Sequence, residues 1–288
     1  MAIPLRPLLC RPVLPADKAQ ALAFLRWIWE GDDYLPQVWD SWVADPTALF
    51  VAAEQNGRVV GLGRLTDLGE GEAWLEGLRV DPEFLGRGIA SHIHDFLLER
   101  WASTPSTIIR LATDSTREPV HRLCHRTGFE RVANLIEVAA PAAPGPHAFS
   151  ELAPQDVVRL FEGWAATPLG RSLHGLVELH WQWARATPRR LSALAARGSA
   201  WSWDGGRGAV VGTRQAVEDG ETLRLQAVAV DDQEVTPFLQ DTRRLAAELS
   251  LKDVRWKAPA GEPWDPLLPQ AGFETEWEMT LVVFEKRR

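Results

Sequence analysis

Residues 77–90 constrain the fold most, because they read as a strand end, a glycine-containing turn and a helix start. Gly86 and Gly88 stand just before the predicted helix. The first amides of a helix have no partner within it and carry about half a positive charge, so they favour an anion. Glycines let a phosphate approach these amides closely. The run therefore predicts an anion-binding turn, although two such glycines can also serve only to permit a tight turn.

The segment after the glycines predicts an amphipathic helix. Its apolar residues recur mostly every three or four positions and form one stripe: Ile89, Ile93, Phe96, Leu97 and Trp101. A helix that begins directly at the glycine turn places its first amides where an anion would bind.

Two other phosphate-binding motifs fit this turn less well. A dinucleotide-binding fingerprint requires Gly or Ala at the position of Ser91 and a glycine directly at the strand end, whereas Pro82 and a loop precede Gly86. A nucleoside-triphosphate loop requires Gly-Lys-Ser or Gly-Lys-Thr, which does not follow Gly88. Coenzyme A, which contains a diphosphate, is the ligand that remains.

These residues resemble the signature of the GNAT superfamily of acyl-CoA-dependent N-acyltransferases. That signature is Arg/Gln-x-x-Gly-x-Gly/Ala, and residues 85–90 match it except at Leu85. Val80-Asp81-Pro82 supplies the Val-x-Pro strand end of the family, and Gly128-Phe129 follows a short predicted helix as in the family. The resemblance covers about the first 140 residues.

The chain order and the resemblance imply an α/β fold of the mixed-sheet type. Asn56-Gly57 predicts a type I′ hairpin between two apolar runs. The length of 288 residues predicts two domains, and the Ala/Pro/Gly-rich stretch that ends at Pro146 predicts their boundary. We expect tandem GNAT-like domains at residues 1–140 and 147–288, joined by a linker at 141–146, each a mixed, mostly antiparallel sheet flanked by helices.

The second half reads as a degenerate copy of the first. Val230-Asp231 repeats the strand end Val80-Asp81, and Gly272-Phe273 repeats Gly128-Phe129. Residues 232–237 replace the glycine turn and bring carboxylates that would repel phosphates. We expect the second domain to lack a coenzyme site.

The resemblance implies acetyl-CoA, or another acyl-CoA, as co-substrate and implies no metal. It assigns the pantetheine arm to the backbone of Leu78 and Val80. It assigns the diphosphate to the turn and the first helical residues: Leu85, Gly86, Arg87, Gly88, Ile89, Ala90 and Ser91.

Two residues are candidates for proton transfer. Strand alternation places Glu76 on the face of Leu78 and Val80, and the resemblance implies that Glu76 is the general base, often acting through water. An ion-paired or solvated strand residue is an equal alternative. Cys124 aligns with a tyrosine that often serves as general acid in the family, but a small core residue is the favoured interpretation.

Acidic residues without any Lys or Arg occupy residues 27–57. They are Glu30, Asp32, Asp33, Asp40, Asp45 and Glu54. Such a segment would attract a cationic amine, although a solvated acidic face is the favoured alternative. We predict Asp32, Asp33 and Tyr34 as acceptor-binding residues. Four tryptophans in this segment could stack on the acceptor but are predicted mainly as core residues: Trp27, Trp29, Trp39 and Trp42.

Composition excludes several partners and sites. A net charge of −8 argues against nucleic acid, and no apolar run is long enough to predict a membrane span or a signal peptide, so we expect a cytoplasmic protein. His121, Cys124 and His125 share a predicted helical face, but no fourth metal ligand is evident. His92 and His94 are predicted on the surface.

These features predict an acyl-CoA-dependent N-acyltransferase that transfers an acetyl group to a small amine by direct attack. The alternative is a non-catalytic acyl-CoA sensor. A tandem peptidyltransferase that uses aminoacyl-tRNA ranks last, because it would benefit from a basic surface. A homodimer is compatible with the sequence.

Overall fold

The computed structural model describes residues 8–288. By its contacts, the chain divides into two compact units. The first comprises the described residues up to Leu111, together with 126–129 and 285–288, and the second comprises 112–125 and 130–284. Each unit contains a mixed sheet with helices, which confirms the predicted fold class. The predicted domain boundary at 141–146 stays a prediction.

The first unit is built on a sheet with the strand order β1-β2-β3-β4-β5, in which only the β4/β5 pair is parallel. Its elements in chain order are β1 (Leu9–Pro12), α1 (Lys18–Leu25), α2 (Leu35–Ala44), β2 (Ala48–Gln55), β3 (Arg58–Gly69), β4 (Glu72–Val80), α3 (Ile89–Ala102) and β5 (Ile108–Asp114). The last three residues of β5 belong to the second unit.

Helices cover both faces of this sheet. On one face, α1 and α2 bury Phe24, Trp39 and Trp42 with Leu62 of β3. On the other face, α3 packs closely against two glycines of β3, because a Cβ on Gly61 or Gly63 would lie 2.7 or 2.6 Å from side-chain atoms of Ile93. The predicted hairpin is confirmed, since Asn56 and Gly57 join β2 and β3 with φ of 53° and 78°.

The C-terminal residues complete the core of the first unit. Arg110 is fully buried between two carboxylates, 2.5 Å from Glu72 and 2.7 Å from Glu285. Lys286 donates to the carbonyl of Thr127, and Arg288 donates to the carbonyl of Ala102, each at 2.8 Å. The first unit therefore depends on four residues from the end of the chain.

The second unit has the strand order β6-β13-β12-β11-β10-β7, with β14 also paired to β6 and with β8 and β9 as a separate hairpin. Its elements in chain order are α4 (Glu118–Arg126), β6 (Glu130–Pro141), β7 (Phe149–Glu151), α5 (Val157–Leu160), α6 (Pro168–Ser172), β8 (Leu176–Glu178), β9 (Trp183–Arg185), α7 (Pro188–Arg197), β10 (Ser199–Trp203), β11 (Gly208–Val217), β12 (Gly220–Val230), α8 (Val235–Glu248), β13 (Asp253–Pro259), α9 (Leu267–Gln270), β14 (Glu274–Thr275) and the first part of β15 (Leu281–Arg287), whose residues from Glu285 onward belong to the first unit. In residues 8–288, no helix has the length and apolar character that crossing a membrane requires.

Candidate active site

The glycine turn lies between β4 and α3. The Asp81 carboxylate accepts a hydrogen bond of 3.0 Å from the amide of Glu83 and shapes the start of the turn. Gly86 and Gly88 have φ of 75° and 76°, and a Cβ on either would meet no atom within 4 Å among the described residues other than its two chain neighbours. Gly88 is the N-cap of α3 and provides no side-chain cap. The helix therefore begins uncapped beside open space, which is the geometry that an anion requires.

Strands β4 and β5 pair only over their first residues. Glu72–Trp74 of β4 pair with Ile108–Arg110 of β5, and β4 then continues to Val80. Leu78 and Val80 lie in this second part of β4, directly before the glycine turn. The backbone there is placed to bind an extended ligand whose anionic end reaches α3.

A β-bulge at Gly77 and Leu78 reverses the expected facing of Glu76. Arg64 pairs with Glu76 and Leu62 pairs with Arg79, so one residue of β3 faces two of β4. Glu76 and Arg79 consequently share the α1/α2 face, whereas Leu78 and Val80 lie on the α3 face with Gly61 and Gly63. The prediction that Glu76 shares a face with Leu78 and Val80 is wrong, because the inserted residue breaks strand alternation.

Glu76 is held by two donors from β3. Its Oε1 accepts hydrogen bonds from Arg64 Nη1 at 2.9 Å and from Thr66 Oγ1 at 2.8 Å, and its side chain keeps 13% exposure. The ion-pair interpretation of Glu76 is therefore confirmed. Its role as a general base stays a prediction, which this geometry permits because the carboxylate remains reachable.

Arg64 connects Glu76 to a second carboxylate. Its guanidinium also binds Asp45 and lies 4.4 Å from the ring centroid of Trp42. Burial alone would raise the pKa of Asp45, but hydrogen bonds from Thr47 and the charge of Arg64 outweigh it and lower that pKa. Asp45 is therefore ionised at neutral pH, and Arg64 is fixed between the carboxyl groups of Asp45 and Glu76.

Arg79 and Asp33 form a buried ion pair on the same face. Asp33 is 1% exposed and accepts from Arg79 Nε at 2.7 Å and from Nη2 at 3.2 Å. The amide of Leu35 donates to the same carboxylate at 3.0 Å. The carboxylate of Asp33 is thus hydrogen-bonded within the protein, whereas Asp32 and Tyr34 are exposed. The predicted roles of all three residues in acceptor binding stay predictions.

Most of the acidic segment is neutralised by basic residues from outside it. Four of its six acids form ion pairs, which are Asp33–Arg79, Asp40–Lys18, Asp45–Arg64 and Glu54–Arg11. Glu30 and Asp32 are exposed. A strongly acidic wall, as the segment alone suggests, is therefore not what the fold produces.

The tryptophans divide into core and surface residues. Trp39 and Trp42 are buried as predicted, but Trp27 and Trp29 are 67% and 40% exposed, so the core prediction is wrong for this pair. Trp29 and Tyr34 have ring centroids 6.4 Å apart. Partial burial of Tyr34 raises the pKa of its hydroxyl to about 12, so the hydroxyl stays protonated at neutral pH.

Three of the remaining predicted polar residues, Cys124, His94 and His121, are buried. Cys124 has no exposed surface, and burial raises the pKa of its thiol to about 12. This favours the core interpretation over the general acid, which stays a prediction. His94 is buried and hydrogen-bonded to Thr127 at 3.0 Å, so the surface prediction is wrong for it. Both ring nitrogens of His121 have hydrogen-bond partners, and residues 8–288 contain no cluster of ligands suited to a metal.

In the second unit, two parallel strands also pair only over part of their length, but protein groups fill the space beyond the paired residues. Strands β12 and β13 pair over Thr222–Leu225, and β12 continues to Val230. There Gln226 Nε2 donates to the Glu178 carbonyl at 3.4 Å, and Lys257 Nζ lies 2.7 Å from the Glu178 carboxylate. The cavity that remains has about 10 Å³, space for about one water molecule.

A bulged central strand, separated strand ends and an uncapped helix behind a glycine turn define an acyltransferase-type α/β fold. Residues 17–129 match the model of the "Acetyltransferase (GNAT) family". This part of the chain is therefore a GNAT-type acetyltransferase domain.

Known proteins resemble this chain over different lengths. "Histidine N-acetyltransferase" of Xenopus tropicalis is 32% identical over 169 residues, which are 52% of each chain. "Probable N-acetyltransferase 16" of Homo sapiens is 30% identical over 205 residues, 64% of this chain and 56% of the relative. The chain spans about half the length of these relatives. The structure of a tandem GNAT protein from the clavulanic acid biosynthesis pathway has a TM-score of 0.58, with 15% identity and 98% of both chains covered, and supports a tandem fold.

Proposed function

We propose that the first unit binds acetyl-CoA and transfers its acetyl group to the amine of a small molecule. The proposal rests on one observation. The part of β4 that is not paired with β5 leads directly to the open glycine turn and the uncapped start of α3. The path combines main-chain groups for an extended amide-containing arm with a helix N-terminus for a diphosphate. Gly86 and Gly88 leave the space there that the diphosphate needs.

Glu76 is the proposed general base. Arg64 and Thr66 fix one oxygen of its carboxylate, and the carboxylate accepts a proton from the acceptor amine, directly or through water. Loss of this proton converts the ammonium form of the amine to the neutral amine. Its nitrogen then forms a bond to the acetyl carbonyl carbon, the bond from that carbon to sulfur breaks, and the nitrogen releases its second proton to solvent. Because Cys124 is buried with a raised pKa, the departing thiolate takes its proton from solvent.

The acceptor is proposed to be a free amino acid, with histidine tested first. Two curated relatives are the "Histidine N-acetyltransferase" proteins of Xenopus tropicalis and Oreochromis niloticus. Free histidine carries a primary amine, so it fits the proposed chemistry.

One coenzyme site per chain is proposed. In the second unit, β8 fills the corresponding space between the strands, and Asp232 and Glu234 stand where the first unit has its glycine turn. Carboxylates at that position oppose a bound diphosphate.

Calorimetric titration with acetyl-CoA tests the binding site. Gly88→Glu places a carboxylate in the proposed diphosphate space, and we expect affinity to fall by at least about 100-fold, since placing like charges side by side in a binding site costs several kcal/mol. Gly57→Glu is the matched control, because Gly57 also has a positive φ, 78°, with nothing within 4 Å of its Cβ position. Two equivalent sites, or equal affinities of the two variants, would contradict the proposal.

Release of free coenzyme A tests the transfer. We expect thiol release from acetyl-CoA with histidine, and a loss of about 100-fold or more in Glu76→Gln. Tight acetyl-CoA binding without thiol release, across amino acids, polyamines and aminoglycosides, would support the sensor function instead.

A further inference from the structure

On one face of the first unit's sheet, a short row of side chains leads from Glu76 to the surface. Arg64 binds Glu76 and stacks on Trp42, and the Trp42 ring contacts Tyr34 edge-on with centroids 5.9 Å apart. Trp29 lies 6.4 Å from Tyr34 and is partly exposed, as is Tyr34, at 40% and 38%. The row therefore ends in two aromatic rings that solvent, or a ligand beside Glu76, can reach.

Arg79 supports both rings from the protein side. Its guanidinium lies 4.0 Å from the ring centroid of Trp29 and 5.4 Å from that of Tyr34, and Asp33 fixes it by two hydrogen bonds. The charge of Arg79 is thereby neutralised within the protein. What this surface offers a ligand is aromatic area rather than net charge.

We propose that Trp29 and Tyr34 form the acceptor wall, which selects primary amines that carry a planar ring, such as imidazole. This inference rests on the proposed transferase function and adds the acceptor class. A planar ring gains stacking energy on Trp29 or Tyr34. A polyamine gains little, because four of the six acids nearby in sequence are already paired.

The ratio of kcat/KM for histidine to kcat/KM for alanine measures how strongly the acceptor wall selects a planar ring. Both substrates share the α-amino and carboxylate groups, and only histidine has a ring. We expect Trp29→Leu to lower this ratio about 3- to 10-fold, the loss of one aromatic contact. Trp27→Leu is the matched control, because Trp27 is more exposed, at 67%, and stacks on Arg26 instead, so we expect it to leave the ratio unchanged.

Tyr34→Leu provides a second variant if Trp29→Leu does not fold, as judged by circular dichroism and acetyl-CoA affinity. An unchanged ratio in the folded variant would overturn the acceptor wall, and so would spermidine as a better substrate than histidine.

A binding measurement separates this inference from the transferase proposal. If the wild-type protein releases no coenzyme A, the transferase proposal fails, and histidine is then titrated calorimetrically into the protein saturated with coenzyme A. Binding that weakens in Trp29→Leu but not in Trp27→Leu would uphold the wall. Absent binding, or equal binding in both variants, would overturn it.

Discussion

Gly77 sets the position of Glu76, and replacing it with alanine should expose two separate penalties. Its φ of 67° lies in the left-handed region, which costs about 1–2 kcal/mol for a residue with a Cβ. The new Cβ would also lie 2.6 Å from Cζ3 of Trp42, and such overpacking against a rigid indole costs about 1–3 kcal/mol. We therefore expect Gly77→Ala to lower the free energy of unfolding by about 2–5 kcal/mol.

Gly69→Ala separates the conformational penalty from the overpacking penalty. Gly69 has a φ of 70° but nothing within 4 Å of its Cβ position, so this variant should carry the conformational penalty alone. Urea unfolding of both variants measures the difference, which we expect to be about 1–3 kcal/mol. Trp42→Phe removes Cζ3 and Cη2, so combining it with Gly77→Ala should recover part of that difference.

Equal losses in Gly77→Ala and Gly69→Ala would refute this reasoning, because they would show that the bulge does not press on Trp42. The placement of Glu76 beside Arg64 would then need another cause. A further readout is catalysis: if Gly77→Ala shifts the bulge, kcat should fall, because Glu76 directly precedes Gly77.

Three other outcomes follow from buried charges. Arg64→Lys keeps the positive charge, but a lysine cannot bridge two carboxylates as the planar guanidinium does. We therefore expect kcat to fall about 10- to 100-fold while the affinity for acetyl-CoA is unchanged. An unchanged kcat would contradict a positioning role for Arg64. Glu285→Gln leaves Arg110 with one buried carboxylate fewer, and urea unfolding should show a loss of about 3 kcal/mol. Burial, opposed by Asp95, lowers the pKa of His94 to about 4 from 6.5. The unfolded chain therefore binds more protons between these values, and stability should fall by about 2 kcal/mol more from pH 6.5 to 5 in the wild type than in His94→Gln.

Local features of the fold were predictable because local backbone preferences set them. Asn56-Gly57 and the Gly86/Gly88 turn both adopt the positive φ angles that their residue types favour. The helix after Gly88 buries the stripe that its spacing indicates, including Ile93 and Trp101.

The surroundings of Glu76 were not predictable in the same way. Arg64 and Thr66 could have been identified from the β2–β3–β4 order, since they stand two residues apart on β3, but pairing them with Glu76 requires the register across the bulge. Gly77 is the only hint of that bulge in the local sequence, and a strand glycine also fits other roles. The same limit explains the acidic segment, whose partners Arg11 and Arg79 lie on other strands.

By itself, the sequence determined the GNAT resemblance of the first domain, the glycine turn and the helix that follows, because each depends on the φ preferences and apolar spacing of consecutive residues. The tertiary structure alone decided which face Glu76 occupies, which acids keep their charge unpaired, and that Glu285 completes the core around Arg110. These outcomes depend on strand register and on contacts between residues far apart in the chain, and neither is encoded in any single segment.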